Sequence, residues 1–364
     1  MSEGGGDKQG PSEEAILAAL RNIQDPDLHR DIVSLGFVRD INVCGGNVAL
    51  KIVLTTPACP VRDLMRNQAV ELLSALPGVE NVNVEMAADV RAHSPSKGPR
   101  PVEGVRNIIA VASNKGGVGK STVSVNLAVA LAKHGARVGL LDADITGPNI
   151  PTMVGLKAGH QADVGLSPVE RFGVKVASIG FVLKPGLAVI WRGPMIGSGV
   201  RQLLHDLPWA EDGDLDYLVI DLPPGTSDAP MSMAQEAPIA GAVIVTTPQG
   251  VSLEDATKAV MMFEKLNVPV FGVIENMSYF LCPHCGERTD VFGHGGAREA
   301  ADELGLDFLG EIPLDATVRQ SGDQGVPIVE RDPESPVAKE FMAISERIAA
   351  RASVQRFFEG AAVA

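Results

Sequence analysis

Residues 113–122 read SNKGGVGKST, in which two lysines, Lys115 and Lys120, bracket a run of glycines. A loop that wraps a phosphate turns several backbone N–H groups inward, a geometry that glycine tolerates best. Asn114, Gly116, Gly117, Val118 and Gly119 supply such a loop, and the helix it opens adds its positive end. Lys120 then reaches the β- and γ-phosphates of a nucleotide, Ser121 offers a hydroxyl to Mg²⁺, and Thr122 completes the run. The motif GxxxxGK[ST] is met except at its first glycine, where the chain has Asn114. One lysine suffices for the phosphates, so Lys115 needs a separate explanation.

Two further groups suit the same chemistry. Asp221 ends the apolar run YLVID ahead of LPPGTSD and is placed to hold a Mg²⁺-bound water. LLDADITGPN sets Asp142 and Asp144 at the end of a strand, beside the crevice where open α/β sheets take ligands. A different chemistry belongs to Cys282-Pro-His-Cys285. A CxxC pair serves zinc, iron–sulfur clusters or thiol redox reactions. The redox use wants a helix directly after the pair, and Gly286-Glu287-Arg288-Thr289-Asp290 has no helical apolar period. Zinc wants four ligands. His284 and His294 are near in sequence, but a CxHC stretch gives them awkward geometry, and Cys44 and Cys59 lie in another domain.

The elements that must position these groups show in the hydrophobic pattern. Residues 1–11 are polar and Gly-rich, as in a disordered N-terminus. A small α/β domain follows over 12–90: a helix in AILAALRNI, a strand at 47–54, a helix at 61–76 and an alternating strand at 79–86. Residues 91–104, rich in Pro, Gly and charge, form a linker. From 105 to 364, apolar strands alternate with helical stretches, which predicts a mostly parallel sheet covered by helices on both faces. With aromatics at only 4 %, the cores are built from Val, Leu, Ile and Ala. A net charge of −14 disfavours a general nucleic-acid binder. The chain shows no long apolar span or signal peptide, so the expectation is a cytoplasmic protein with no membrane partner.

KGGVGKST resembles the deviant Walker A motif of the MinD/ParA/nitrogenase-iron-protein class of P-loop ATPases. The resemblance implies that Lys115 reaches across a homodimer interface to the partner's nucleotide. It also implies that Asp144 orients the attacking water, with Asp142 as the alternative, and that Asn276 contacts the purine unless it caps its turn. A dimer brings two CxxC pairs together. Four thiolates are the ligand set of a [4Fe–4S] cluster, though a shared zinc satisfies the same count. LLDADITGPNIP, WRGPM, DLPPGTSD, TTPQ and ENMSYFLCPHCGERTDVFGHGG extend the resemblance to the Mrp/ApbC iron–sulfur cluster carrier ATPases, which pass a [4Fe–4S] cluster to apo-proteins with ATP binding and hydrolysis. DPDLHRDIVSLGFV and LTTPACP resemble the small accessory domain fused to such ATPases, in which Cys59 is the family's functional cysteine or else a small buried hydrophobe. The competing function is a MinD/ParA-like positioning ATPase. Its membrane form would use Val337, Phe341, Ile344 and Ile348 as the apolar face of a surface helix, where the alternative is packing on the ATPase core. A nitrogenase-like reductase is a third option, and the adjacent CxxC departs from its well-separated cluster cysteines.

Overall fold

The computed structural model describes residues 10–93, 98–145, 147–157, 159–161, 166–182, 193–225 and 228–361. Most of the N-terminal stretch expected to be disordered, the 94–97 part of the linker, and the first two residues of WRGPM lie outside these residues. By contacts the chain divides into two units, Met1–Val90 and Arg91–Ala364.

The first unit starts with α1 (Glu13–Leu20), capped by Ser12, whose Oγ accepts the Ala15 N–H at 3.2 Å. The helix buries Ile16 and Leu20 completely. A two-residue ladder, β1 (Gln24–Asp25) with β2 (Arg30–Asp31), precedes a three-stranded sheet of β3 (Val38–Cys44), β4 (Asn47–Leu54) and β5 (Asn81–Ala88). β3 and β4 form an antiparallel hairpin. β5 returns parallel to β4 after α2 (Arg62–Ser74), which buries Met65, Ala69 and Leu73. Cys59 is half-buried in the turn after β4, where Thr56 Oγ1 accepts the Ala58 N–H at 3.2 Å.

The second unit is built on an eight-stranded sheet. In chain order its first elements are β6 (Val105–Ala112), α3 (Lys120–Lys133), β7 (Val138–Asp142), α4 (Ile150–Met153), β8 (Val169–Arg171), β9 (Val174–Ser178) and α5 (Gly193–His205). Then come β10 (Leu215–Asp221), α6 (Asp228–Glu236), β11 (Ile239–Thr246), α7 (Gly250–Lys265) and β12 (Val270–Asn276). A short hairpin of β13 (Phe280–Leu281) and β14 (Arg288–Thr289) leads to α8 (Gly296–Glu303), β15 (Phe308–Ile312), α9 (Ala316–Gln324), α10 (Ile328–Arg331) and α11 (Pro336–Ala361). The order across the sheet is β15-β12-β11-β6-β10-β7-β9-β8, and every neighbouring pair is parallel except β8 with β9. β10 and β11 are buried at every position, as strands covered on both faces must be.

The topology sets the site. β6 lies between β10 and β11, so the loop leaving it opens at the centre of the sheet's C-terminal edge. α3 is buried along much of its length, from Lys120 and Val123 to Leu131, and packs against α11. Val337, Phe341, Ile344 and Ile348 on α11 are each no more than 2 % exposed. That apolar face is core, not the outward face of a membrane-surface helix. Among the described residues no helix is long and apolar enough to cross a membrane.

Candidate functional site

The phosphate loop runs from the end of β6 to the start of α3, with Gly117 at φ +83° and Gly119 at φ +82°. These left-handed conformations turn the peptides of the loop, and only glycine takes them without strain. A Cβ at Gly116 or Gly117 would meet nothing within 4 Å, so the loop faces open space where a phosphate would lie. Lys120 is the first residue of α3 and is 6 % exposed. Its Nζ donates to Asp221 Oδ1 at 2.6 Å. Ser121 Oγ donates to Asp221 Oδ2 at 2.6 Å, and Ser124 Oγ donates to Oδ1 at 2.7 Å. Asp221 thus gathers the loop lysine and two hydroxyls around one buried carboxylate. A serine hydroxyl beside a carboxylate, both facing the phosphate loop, is the oxygen donor set that fits a hydrated Mg²⁺.

Asp142 pairs in register with Asp221 across β7 and β10 and is fully buried. Burial, reinforced by the Asp221 carboxylate, pushes its pKa up to about 8. Ser178 Oγ donates to its Oδ2 at 2.9 Å, and the Asp144 N–H donates to Oδ1 at 3.2 Å. Asp142 therefore anchors the loop that carries Asp144. Asp144 itself is half-buried, and its Oδ1 accepts the Gly147 N–H at 3.2 Å. Gly225, just before the part of DLPPGTSD that lies outside the described residues, bonds through its N–H to the Ser113 carbonyl at 2.9 Å. This ties the segment after Asp221 to the base of the phosphate loop.

Lys115 is exposed, and Ser113 Oγ donates to its carbonyl at 3.0 Å, fixing the backbone beneath it. Asn276, at the end of β12, is 7 % exposed, and its Nδ2 donates to the Val118 carbonyl at 2.8 Å. A Cβ on Gly119 would come within 2.1 Å of that Nδ2. Asn276 is a clamp on the phosphate loop, a contact that neither purine recognition nor turn capping anticipates.

Five residues separate this clamp from Cys282, which opens the turn between β13 and β14. The turn is closed by Cys282 N–H donating to the Glu287 carbonyl at 3.0 Å and Gly286 N–H donating to the Cys282 carbonyl at 2.8 Å. Cys282 is half-buried, Cys285 is exposed, and both are free thiols. The backbone N–H groups of Cys285 and His284 hold the Cys282 thiol below its ordinary pKa, favouring the thiolate that metals bind. His294 Nδ1 is engaged by Arg288 Nη2 at 2.7 Å rather than by the cysteines. Among the described residues no three His, Cys, Asp or Glu side chains converge to hold a metal. α8 begins only at Gly296, so no helix N-terminus bears on the first thiol as a redox CxxC requires. Leu281, next to Cys282, and Val291 and Phe292, which follow β14, are large, apolar and 38 %, 51 % and 38 % exposed.

Comparison with known proteins agrees with this geometry. The family described as ParA, NUBPL iron-transfer P-loop NTPase, matches residues 104–349. A second, iron–sulfur cluster assembly protein, matches residues 13–86. An iron–sulfur cluster carrier protein of Synechocystis is 48 % identical over 349 residues, covering 94 % of this chain and 98 % of its own. One from Deinococcus radiodurans is 45 % identical, covering 95 % and 97 %. Among solved structures, a nucleotide-binding protein of Archaeoglobus fulgidus in complex with ADP is 44 % identical with a TM-score of 0.55, covering 64 % of this chain and 91 % of that one. The cell division ATPase MinD of Pyrococcus furiosus is 26 % identical with a TM-score of 0.51, covering 66 % and 98 %. With its phosphate loop, its cysteine turn and kinship over nearly its whole length, the chain belongs to the iron-transfer P-loop NTPases, among the iron–sulfur cluster carrier proteins.

Proposed function

We propose that this protein binds a [4Fe–4S] cluster between two copies of the chain and passes it to apo-proteins, with ATP binding and hydrolysis governing the dimer. The observation that carries the proposal is the cysteine turn. It offers two thiols, no third metal ligand converges on them among the described residues, and the exposed apolar Leu281 adjoins Cys282 in the chain, with exposed Val291 and Phe292 following β14. An exposed apolar rim marks a surface that meets a partner. A second copy supplies the two missing thiolates of a four-cysteine site. Transfer is then ligand exchange, with thiolates of the recipient replacing Cys282 and Cys285 without change in iron oxidation state.

The nucleotide acts through the buried ion pair. Lys120 is held by Asp221 at 2.6 Å, and an arriving triphosphate offers it a stronger anion. Lys120 turns to the phosphates, which leaves Asp221 and Ser121 to take Mg²⁺ through oxygen. Asp144 orients the attacking water, and Lys115 reaches the nucleotide of the facing chain. Mg²⁺ supplies neutralisation of charge on the phosphate oxygens.

Anaerobic reconstitution with iron and sulfide, read by visible spectrum and iron content, tests the carrier reading. One cluster per dimer means about two irons per chain, from the four-cysteine ligand count. Cys282→Ser and Cys285→Ser each delete two of the four ligands of a dimer, so either should abolish cluster binding while ATP binding persists. Cys59→Ser should leave the cluster in place. Iron retained after both turn cysteines are replaced, or uptake of zinc alone, would refute the proposal.

A further inference from the structure

The β13–β14 hairpin, β15, α8 and α11 enclose a cavity of about 470 Å³ that none of the nucleotide or cysteine chemistry uses. Its volume falls in the range of small-molecule sites. Three arginines line it, each from a different element: Arg288 from β14, Arg298 from α8 and Arg347 from α11. Two of them are fixed by aromatic rings. The Arg288 guanidinium stands 4.0 Å over Tyr279 and that of Arg298 stands 4.2 Å over Phe308, in the range of a cation–π contact. Arg347 is tethered by donating Nη1 to the Leu309 carbonyl. Gly310 forms part of the wall without a side chain. A Cβ there would come within 2.8 Å of Ile344 Cγ1 and 3.1 Å of Arg347 Nη1, so the glycine makes room first for Ile344 and then for that guanidinium.

Arg288 is closely paired by Asp290, which accepts its Nε–H at 2.9 Å, whereas Glu311 on β15, which lines the cavity, is a looser match. Glu311 stands 3.3 Å from Arg288 Nη2 and 3.9 Å from Arg298 Nη2, and it also accepts Ser278 Oγ at 3.3 Å. A close charge-assisted pair measures about 2.7–2.9 Å. Each guanidinium carries five N–H donors in a planar fork. Asp290, His294 and Glu311 engage the Nε and Nη2 of Arg288, and the Leu309 carbonyl takes one donor of Arg347. Burial, followed by the negative charge of Glu340 and Glu311, raises the Tyr279 pKa, and both carboxylates line the cavity with it.

We propose that this cavity binds a small oxyanion, a carboxylate or a phosphate, gripped by Arg288, Arg298 and Arg347, with Glu311 as its internal stand-in. Glu340 favours ligands that also bring a hydrogen-bond donor. Because Arg288 lies on the strand that closes the cysteine turn, the bound anion also braces that turn. The site stands independently of the cluster reading, since it uses neither cysteine.

The test uses the full chain saturated with Mg-ADP, so that the phosphate loop is filled. Inorganic phosphate and, separately, succinate are titrated by isothermal calorimetry. At least one should bind saturably, at least tenfold more weakly in Arg298→Gln or Arg347→Gln, and more tightly in Glu311→Gln, which frees the arginines from their internal carboxylate. Binding of phosphate alone or of succinate alone supports the site and names its ligand class. The proposal is overturned if neither probe binds wild type or folded Glu311→Gln. It is equally overturned if both arginine variants bind as wild type does, since the anion would then sit elsewhere.

Discussion

The buried carboxylates at the strand ends divide the labour of the nucleotide site. Asp221 is neutralised by Lys120 and by hydroxyls, so its charge is sheltered even at 1 % exposure. Asp142 forms no ion pair among the described residues; burial followed by the repulsion of Asp221 outweighs its bond from Ser178 and the pull of Lys120, lifting its pKa to about 8. The folded chain therefore holds a proton on Asp142 that the unfolded chain releases near pH 4, the ordinary range for Asp. For an acid whose folded pKa is raised, stability is fully present below the unfolded pKa and drains as pH rises towards the folded one. Asp142→Asn mimics the protonated form and removes this dependence. Relative to that variant, wild type should lose on the order of 5 °C in Tm between pH 5 and pH 8, following the usual conversion of free energy to melting temperature. Parallel thermal profiles for the two proteins would place the proton elsewhere. In sequence, Asp142 and Asp144 were legible as strand-end acids. The resemblance gave Asp144 the water and left Asp142 as the alternative or as a structural carboxylate. The Ser178 contact that holds Asp142 was not legible, because it comes from β9, which the hydrophobic pattern does not single out.

At the scale of elements, the phosphate loop and the cysteine turn are joined by one strand and its exit. β12 ends on Asn276, which grips the Val118 carbonyl, and the same chain then forms the hairpin that carries Cys282. The motif, the strand before it and the helix after it were readable because glycine spacing and apolar periodicity are local signals. The clamp was unreadable because it couples residues 158 positions apart. The same holds at the sheet edges. β15 and the β8–β9 hairpin are short, and their pairing depends on tertiary contacts more than on local pattern. Asn276→Ala should weaken ATP binding roughly fivefold, the worth of one hydrogen bond of about 1 kcal/mol. A fluorescent nucleotide displaced by ATP measures the change. Gly119→Ala is the harsher probe, since it combines φ +82° with a 2.1 Å approach to Asn276, and it should abolish binding. If Asn276 only capped its turn, its alanine variant would bind ATP like wild type.

At the scale of the whole molecule, the proposed second copy would account for two features of one chain. The cysteine turn presents two thiols, and Lys115 stands exposed on the same loop as the buried Lys120. If Lys115 serves the nucleotide of the facing chain, the two lysines must fail differently. Lys120→Ala removes the cation from its own site, so binding and hydrolysis there should fall by orders of magnitude. Lys115→Ala leaves each loop able to bind nucleotide but takes the facing chain's lysine from every site, so hydrolysis should fall while binding persists. Neither variant alone makes a complete site. Mixed together, they form heterodimers in which the Lys120→Ala chain lends its intact Lys115 to the complete phosphate loop of the Lys115→Ala chain. One of the two sites is then whole. About half of the mixed dimers' sites should recover turnover, measured as phosphate release against mixing ratio, with a maximum near equal proportions. Heterodimers that form, as shown by differently tagged chains co-eluting, and yet release no more phosphate than either parent would confine Lys115 to its own chain. The same mixture, loaded with iron and sulfide, should keep its cluster, because both variants retain Cys282 and Cys285. A shared cluster with no shared lysine would separate the two halves of the dimer argument and leave the thiolates alone to hold the copies together.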